Sequence, residues 1–262
     1  MTDPEARRAE DLARISHALD AAGEVARRYT PGQVEWETKS ERGDPVTEAD
    51  RAIDGLLRSL LPRPGEGWLS EESRDDRTRL DDRRVWVVDP LDGTREFVNA
   101  IPEWCVSVGL VEDGRPVAGG VFNPATGEKI VGAEGVGVTL GGRPVEPRPL
   151  RGLAGAVVLA SRSEVARGEW DRFRDAPFQV RPCGSVAYKL GLVAAGLADA
   201  TWTLVPKHEW DVAAGAALAV AAGLEVLHRD GSTPRFNRDE PKLPDLLVGP
   251  PALLRELREV WI

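Results

Sequence analysis

Apolar residues recur at helical spacing in two segments near the start of the chain. The first set runs from Leu12 to Tyr29 and predicts an amphipathic helix. The second set lies on one face of another helix, between Thr47 and Pro62. Thr47 and Asp50 have the spacing of a capping box, and Pro62 stops the helix. The polar residues 33–44 between the two helices predict a loop or an irregular strand.

Short apolar runs separated by turn residues predict β-strands in the middle of the chain. Val85–Val88 has the composition of a buried strand. Asp113-Gly114, Asn123-Pro124 and Gly141-Gly142 are turn signals between later strand-like runs. Those runs cover residues 105–111, 116–122, 128–133 and 136–140. The spacing predicts an antiparallel meander.

The second half of the chain alternates between strand and helix patterns. Predicted strands cover residues 157–159, 199–204, 224–227 and 246–248, and predicted helices cover 163–175, 184–196, 211–222 and the segment from Pro250 onwards. Such alternation indicates a sheet covered by helices, an α/β arrangement. Clustered prolines mark a soft boundary near 145–153. We therefore expect one globular unit with two lobes, residues 1–150 and 151–262.

Composition limits the classes of function. The chain has 34 Lys and Arg against 43 Asp and Glu, a net charge of -9. An acidic surface argues against nucleic acid as a partner, because such binding needs basic patches. The acidic composition does not exclude a small anionic substrate, since bound metal ions reverse the electrostatic field in a pocket. Cys105 and Cys183 do not have the spacing of a metal site or disulfide framework. With no signal-like start and no membrane-length apolar run, we expect a cytoplasmic protein without a membrane anchor.

The segment Asp89-Pro-Leu-Asp92-Gly-Thr94 carries the strongest chemical signal. A buried strand ends in one carboxylate, and a second carboxylate follows after a tight turn. Hard oxygen ligands this close together suit two magnesium ions. The free N–H groups of a following helix start suit a phosphate. An ordinary Asp-Gly turn after a strand is the alternative explanation.

Three further acidic segments flank this turn. They are Asp44-Pro-Val-Thr-Glu-Ala-Asp50, Ser70-Glu71-Glu72-Ser73 and Trp210-Asp211. Each also has a plain structural explanation. We favour a capping role for Asp50; the structural alternative for Glu72 is solvation, and that for Asp211 is an interaction with its helix dipole.

Together these motifs resemble the inositol monophosphatase superfamily of lithium-sensitive, metal-dependent phosphatases. The motifs that match are the segments at 44–50, 70–73 and 86–94 and Trp210-Asp-Val-Ala-Ala-Gly215, and they occur in the order of the family. The resemblance spans residues 10 to 250. It implies a layered αβαβα sandwich of the inositol monophosphatase and fructose bisphosphatase type, and a homodimer.

The resemblance also implies roles for individual residues. Glu71, Asp89 and the carbonyl of Leu91 would hold a first Mg²⁺, and Asp89, Asp92 and Asp211 a second. Glu71 could support a third. Asp44 and Thr94 would orient the attacking water, and the N–H groups of Gly93 and Thr94 would contact the phosphate.

Substrate choice rests on smaller signals. Many inositol monophosphatases carry a glutamate where this chain has Leu204, which argues against inositol. Ser161-Arg162-Ser163, Gly184-Ser185 with Lys189, and Pro206 resemble bacterial 3'(2'),5'-bisphosphate nucleotidases. A second phosphate needs cations away from the metals, and Arg162 and Lys189 are candidates. We therefore expect adenosine 3',5'-bisphosphate as the substrate and AMP as a product.

Several alternatives remain open from the sequence. An inositol phosphate or histidinol phosphate is the next candidate substrate, and a broad-specificity monoesterase follows. The least favoured possibility is an inactive metal-binding regulator, because all the expected ligands are present.

Overall fold

The computed structural model describes residues 4–38, 45–146 and 152–260, and these ranges contain seven α-helices and sixteen strands. The helices are α1 Pro4–Ala26, α2 Glu48–Leu60, α3 Thr94–Val98, α4 Arg162–Ala166, α5 Val186–Ala194, α6 Glu209–Ala221 and α7 Pro251–Val260. The strands are β1 Trp36–Thr38, β2 Pro45–Thr47, β3 Gly67–Ser70, β4 Arg84–Asp92, β5 Cys105–Glu112, β6 Arg115–Asn123, β7 Glu128–Ala133, β8 Gly137–Leu140, β9 Arg143–Pro144, β10 Val157–Ser161, β11 Gln179–Cys183, β12 Ala200–Trp202, β13 Lys207–His208, β14 Glu225–Leu227, β15 Lys242–Leu243 and β16 Leu247–Gly249.

The first sheet has seven strands in the order β3-β4-β5-β6-β7-β8-β9. β3 and β4 are parallel, and every later neighbour pair is antiparallel. This sheet confirms the predicted meander. Tight turns with positive φ join its strands, for example at Asp113 and Gly114.

The second sheet has five strands in the order β11-β10-β12-β16-β14. β10 is parallel to both of its neighbours, whereas β16 is antiparallel to β12 and β14. The parallel pairs follow from the helical connections between these strands, which reverse the chain before each new strand begins. Two small two-stranded sheets, β1-β2 and β13-β15, complete the strand pairing.

Helices and sheets alternate in five layers. α1 and α2 cover the outer face of the first sheet, α5 and α6 lie between the sheets, and α4 and α7 contact the second sheet from outside. Alternating side chains of a strand enter opposite layers. In β4, Val85 and Val87 belong to the central core, whereas Trp86 and Val88 belong to the core under α1 and α2. The predicted αβαβα sandwich is confirmed.

The Ala- and Gly-rich composition of α6 follows from its close approach to the first sheet. A Cβ atom added to Gly109 would lie 2.8 Å from the backbone nitrogen of Ala214, and one added to Gly119 would lie 2.4 Å from its carbonyl oxygen. On the other side of α6, Gly215 leaves room for Leu190. Larger residues at these positions would push the central helix layer away from the sheet.

A network of buried charges joins α1 to the first sheet. Arg84 donates to Asp11 at 2.6 Å and to Glu66 at 3.0 Å, and Arg14 donates to Glu66 at 2.6 Å. Burial by itself raises the pKa of Glu66, but hydrogen bonds from Arg14, Trp86 and Arg84 outweigh burial and lower that pKa to about 2. The network therefore stabilises the fold with Glu66 ionised.

The helix predicted over 163–175 is wrong. Helix α4 ends at Ala166, and only a 3₁₀ turn, Asp171–Phe173, follows it. Gly168 lies between them with φ 75°, a conformation that interrupts a helix.

The predicted lobe boundary falls partly on residues 147–151, outside the described ranges. No helix within those ranges has the length and apolar character needed to span a bilayer.

Candidate active site

Strand β4 ends in the predicted Asp89–Thr94 turn. The pairing of β4 with β5 shifts register between Asp89 and Asp92, so the turn departs from the sheet at this point. Asp89 is 1% exposed, and its carboxylate accepts a hydrogen bond from the N–H of Leu91 at 3.0 Å. Gly93 has φ 96°, and a Cβ atom there would meet the carbonyl of Glu103 at 3.0 Å. Glycine therefore allows the turn to pass close to the 103–104 backbone.

Four acidic residues from separate parts of the chain line one open cleft of about 260 Å³. Glu71 follows β3, Asp89 and Asp92 come from β4, and Asp211 lies in the first turn of α6. Leu91, Gly93 and Thr94 line the same cleft. The structure therefore brings together every predicted metal ligand.

Mutual repulsion among these carboxylates is strong. Burial raises the pKa of Asp89 well above its usual value, and Glu71, Asp92 and Asp211 raise it further. Burial, Asp92 and Glu71 likewise raise the pKa of Asp211, while Lys207 opposes the shift. Such a cluster is stable in its ionised form only beside cations.

The chemistry of this donor set fits a hard divalent cation. All the side-chain donors are carboxylate oxygens, and the carbonyl of Leu91 is a further oxygen. Among the described residues, no three His, Cys, Asp or Glu side chains already surround one metal position. Burial is the main cause of the raised pKa of Asp89, and repulsion from Glu71, Asp92 and Asp211 adds to it. A bound cation would relieve that repulsion and draw the carboxylates together.

Ser185 fixes the orientation of Asp92. The Ser185 hydroxyl donates to Oδ2 of Asp92 at 2.7 Å, and the N–H of Ala187 donates to the same oxygen at 2.5 Å. Ser185 also caps α5 by accepting a hydrogen bond from Tyr188 at 3.0 Å, and it has φ 52°. A positive φ is unusual for serine and costs conformational energy. The second oxygen of Asp92 therefore has a defined direction toward the cleft.

Thr94 is positioned by two acceptors. Its hydroxyl lies 3.0 Å from the carbonyl of Leu91 and 3.3 Å from Oδ1 of Asp50. Asp50 also accepts from the backbone and hydroxyl of Thr47, which confirms the predicted capping box. The other predicted catalytic residue, Asp44, lies outside the described residues.

The predicted substrate contacts differ in their surroundings. Gly184, Ser185 and Lys189 line the cleft. Lys189 is 4% exposed, and burial lowers its pKa. Arg162 does not line the cleft, because its guanidinium is engaged by Glu103, with Nη2 at 2.6 Å from both carboxylate oxygens.

Lys207 also lines the cleft, although no role was predicted for it from the sequence. It lies in β13, four residues before Asp211, and it opposes the raised pKa of that carboxylate. The signal available in the sequence was a cation in the loop that leads to Trp210-Asp211. Glu96 is a second cleft residue that was missed, and burial raises its pKa.

Comparisons with known proteins identify the family. A sequence model of the inositol monophosphatase family matches residues 9–258. The 3'-phosphoadenosine 5'-phosphate phosphatase of Mycobacterium leprae is 34% identical, over 96% of this chain and 94% of its own. Inositol monophosphatase 3 of Solanum lycopersicum is 33% identical, over 82% of this chain and 84% of its own.

Solved structures share the fold. CysQ from Bacteroides thetaiotaomicron, a bacterial member of the inositol monophosphatase family, superposes with a TM-score of 0.74 and 29% identity, over 93% of this chain and 97% of its own. The suhB protein of Bartonella henselae gives a TM-score of 0.80 with 25% identity, over 94% and 96%. The predicted class, a phosphomonoester hydrolase, is confirmed by the match to phosphatases over nearly the whole chain. This chain belongs to the inositol monophosphatase family.

Proposed function

We propose that this protein is a magnesium-dependent phosphatase that converts adenosine 3',5'-bisphosphate, or a related 3'(2'),5'-bisphosphate nucleotide, to the nucleoside monophosphate and phosphate. The observation that carries the metal dependence is buried Asp89 with Glu71, Asp92 and Asp211 around it. Five acidic and three basic side chains line the cleft. A cleft with excess negative charge attracts a phosphate only when cations reverse its field.

Two or three Mg²⁺ ions would be held by this chain. Glu71, Asp89 and the Leu91 carbonyl are the proposed ligands of the first ion, and Asp89, Asp92 and Asp211 those of the second. Glu71 would also support a third. When bound, such ions neutralise charge on the phosphoryl group and make a water molecule more acidic.

Residues of the chain then position the reacting groups. The Thr94 hydroxyl donates toward Leu91 or Asp50, which leaves its lone pairs to accept a hydrogen bond from the attacking water. Asp44 is its proposed partner in orienting that water. The water oxygen forms a bond to phosphorus and loses a proton as the ester P–O bond breaks, and the sugar oxygen takes up a proton from solvent and leaves as a hydroxyl. The N–H groups of Gly93, the N-cap of α3, and of Thr94, its first residue, are proposed to hold the phosphate because N–H groups at a helix start have no intrahelical partner.

The preference for a bisphosphate nucleotide has two supports. A relative that covers nearly the whole chain is a 3'-phosphoadenosine 5'-phosphate phosphatase. The cleft also contains Lys189 and Lys207, which are cations suited to a distal phosphate. Gly184 and Ser185 would contact the sugar side of the substrate. Arg162 is a weaker candidate for the distal phosphate, since Glu103 already engages its guanidinium.

Inositol phosphate is the second candidate substrate, because several relatives are inositol monophosphatases. Leu204 argues against it. This side chain packs against the core cluster that contains Trp170 and Trp202, and it does not line the cleft. An apolar side chain there offers no hydrogen bond to an inositol hydroxyl. Histidinol phosphate and broad monoester specificity follow as alternatives, and an inactive regulator is disfavoured by the complete acidic set.

A phosphate-release panel tests the proposal. The substrates are adenosine 3',5'-bisphosphate, inositol 1-phosphate, histidinol phosphate and fructose 1,6-bisphosphate, each with magnesium and with excess chelator. The proposal predicts the highest kcat/KM for the adenosine bisphosphate and no turnover in chelator. A higher kcat/KM for another substrate of the panel would make that compound the proposed substrate. Turnover in excess chelator would overturn the metal-dependent mechanism.

Two further properties rest on the family resemblance alone, inhibition by lithium and assembly as a homodimer, and a cytoplasmic location is proposed from the sequence. Lithium would occupy the second site, at Asp89, Asp92 and Asp211, with too little charge to stabilise the leaving oxygen. Phosphate release measured over a millimolar lithium series tests the first property.

A further inference from the structure

Helix α2 carries two buried aspartates, Asp50 and Asp54, one helical turn apart. Asp50 is 1% exposed and Asp54 is 8% exposed. Residues at i and i+4 lie on the same face of a helix. That face points toward two loops that line the cleft, the Ser70–Ser73 turn and the Asp92–Thr94 turn.

Asp54 contacts both ends of the turn that carries Glu71. Its Oδ1 accepts a hydrogen bond from the Ser70 hydroxyl, and its Oδ2 accepts one from the Ser73 hydroxyl at 2.6 Å. Each serine oxygen also accepts a hydrogen bond within this segment, from the Glu72 N–H at 3.4 Å and from the Trp68 indole at 3.4 Å. The two oxygens of one carboxylate therefore span the turn.

Strand β4 also holds the backbone of Glu71. Its N–H donates to the carbonyl of Val88 at 3.3 Å, which extends the pairing of β3 with β4 by one residue. The turn is thus held by a sheet hydrogen bond at Glu71 and by the Asp54 carboxylate at Ser70 and Ser73. Its side chain leaves the turn toward the cleft, where it raises the pKa of Asp89.

Asp50 makes the corresponding contact with the second turn. Its Oδ2 accepts from the Thr47 N–H and hydroxyl at 2.8 and 2.6 Å, which anchors the carboxylate at the start of α2. Its Oδ1 lies 3.3 Å from the Thr94 hydroxyl. One rigid helix therefore contacts the turn that bears Glu71 and the turn that bears Asp92 and Thr94.

We infer that α2 positions the turn that carries Glu71, with Asp54 as a positioning residue for Glu71. The inference rests on the proposed function, because it assumes that Glu71 binds a divalent cation. Residues behind metal ligands orient them, and their loss weakens metal binding by about 10–100-fold. A carboxylate is required at 54 because only it accepts from both serine hydroxyls through two equivalent oxygens.

The experiment measures Mg²⁺ binding to metal-free protein by calorimetry, together with the melting temperature without metal. The variants are Asp54→Asn, Ser73→Ala, the double variant, and Glu48→Gln. Glu48 is an exposed carboxylate on the same helix, so its substitution controls for loss of one negative charge. Ser73→Ala removes the contact between Ser73 and Asp54 without changing the charge. It tests the same role if Asp54→Asn does not fold.

The inference predicts a Kd for Mg²⁺ that rises about 10-fold in Asp54→Asn and in Ser73→Ala. In the double variant, the Kd for Mg²⁺ should rise by less than the product of the two single increases, because both substitutions remove the same contact. Glu48→Gln should bind Mg²⁺ like the unmodified protein.

One result would contradict the positioning role, and a different result would contradict the proposed function. If folded Asp54→Asn and Ser73→Ala both bind Mg²⁺ within twofold of the unmodified protein, the positioning role is wrong even if their melting temperatures fall. If the unmodified protein binds no Mg²⁺, the proposed function itself fails, and this outcome is recognised before any variant is made.

Discussion

Arg162 and Glu103 form a forked ion pair in which Nε lies 2.9 Å and Nη2 2.6 Å from Oε2 of the carboxylate. The same oxygen accepts a hydrogen bond from the N–H of Gly184 at 2.7 Å. Gly184 precedes Ser185, which orients Asp92. Arg162 is therefore connected to the acidic cleft through Glu103 and the 184–185 backbone, whereas Lys207 lines the cleft itself.

This arrangement predicts different effects of removing the two cations. Lys207→Ala should lower kcat/KM for adenosine 3',5'-bisphosphate by about one to two decades, the value of one charge-assisted contact of about 1.5–3 kcal/mol. It should barely change turnover of inositol 1-phosphate. Arg162→Ala should lower kcat/KM equally on both substrates, because it loosens the backbone that orients Asp92.

Steady-state kinetics on both substrates test that prediction, with Lys189→Ala measured in parallel. A selective loss for the bisphosphate in Arg162→Ala would show that the guanidinium leaves Glu103 to contact the distal phosphate. Arg181, on the exposed strand β11, supplies the matched control through Arg181→Ala.

Asp89→Asn should separate catalysis from stability. The substitution removes a ligand shared by two proposed metal sites, so phosphate release should fall by orders of magnitude. It also removes a buried carboxylate that is repelled by Glu71, Asp92 and Asp211. The melting temperature of the metal-free protein should therefore rise, while added magnesium should stabilise the variant less than the unmodified protein.

Phosphate assays and thermal melts with and without magnesium check both parts. Near-normal turnover in a folded Asp89→Asn variant would contradict the assignment of this residue as a metal ligand. A lower melting temperature of the metal-free variant would instead contradict the electrostatic argument.

Removal of metal should abolish activity reversibly. Dialysis against chelator should eliminate phosphate release, and added Mg²⁺ should restore it, because the donor set consists of oxygen ligands. Calcium should bind without restoring full activity, since its larger radius and flexible coordination hold reacting groups less strictly. Recovery curves for the two ions, measured on one protein preparation, test the prediction.

Acid stability should depend on Glu66. Its pKa falls from 4.5 to about 2 in the folded protein, which corresponds to about 3 kcal/mol of stability with the carboxylate ionised. Because the folded pKa is the lower one, this stabilisation is complete above about pH 5 and disappears as the pH falls toward 2. Glu66→Gln should therefore lower the free energy of unfolding at pH 7, and the difference from the unmodified protein should shrink on acidification.

Urea unfolding at pH 7, 5 and 3 measures this effect. Glu24→Gln is a matched control, because Glu24 is 73% exposed and its ion pair with Arg27 contributes little. A difference between Glu66→Gln and the unmodified protein that stays constant over this range would contradict the assigned pKa.

Much of the fold was predictable because hydrophobic periodicity reports burial directly. The strands of the meander and the faces of α1, α2 and α7 follow from period-2 and period-3.6 patterns. The helix predicted over 163–175 was wrong because Gly168 interrupts it and because Trp170, Phe173 and Phe178 then form an aromatic cluster with Trp202. Such clustering depends on contacts distant in sequence, which local pattern does not encode.

The identities of the acidic residues were evident in the sequence, because short motifs keep ligands and turn residues at fixed spacing. Asp89, Asp92 and Thr94 belong to one turn, so their proximity follows from local geometry alone. Their meeting with Glu71 and Asp211 in one cleft required the sheet order and the position of α6, which the tertiary structure decided. The same holds for Arg162 and Lys207. Both are cations near a motif in the sequence, but packing engages one with Glu103 and leaves the other in the cleft wall, because ion pairing depends on distances that only the folded chain sets.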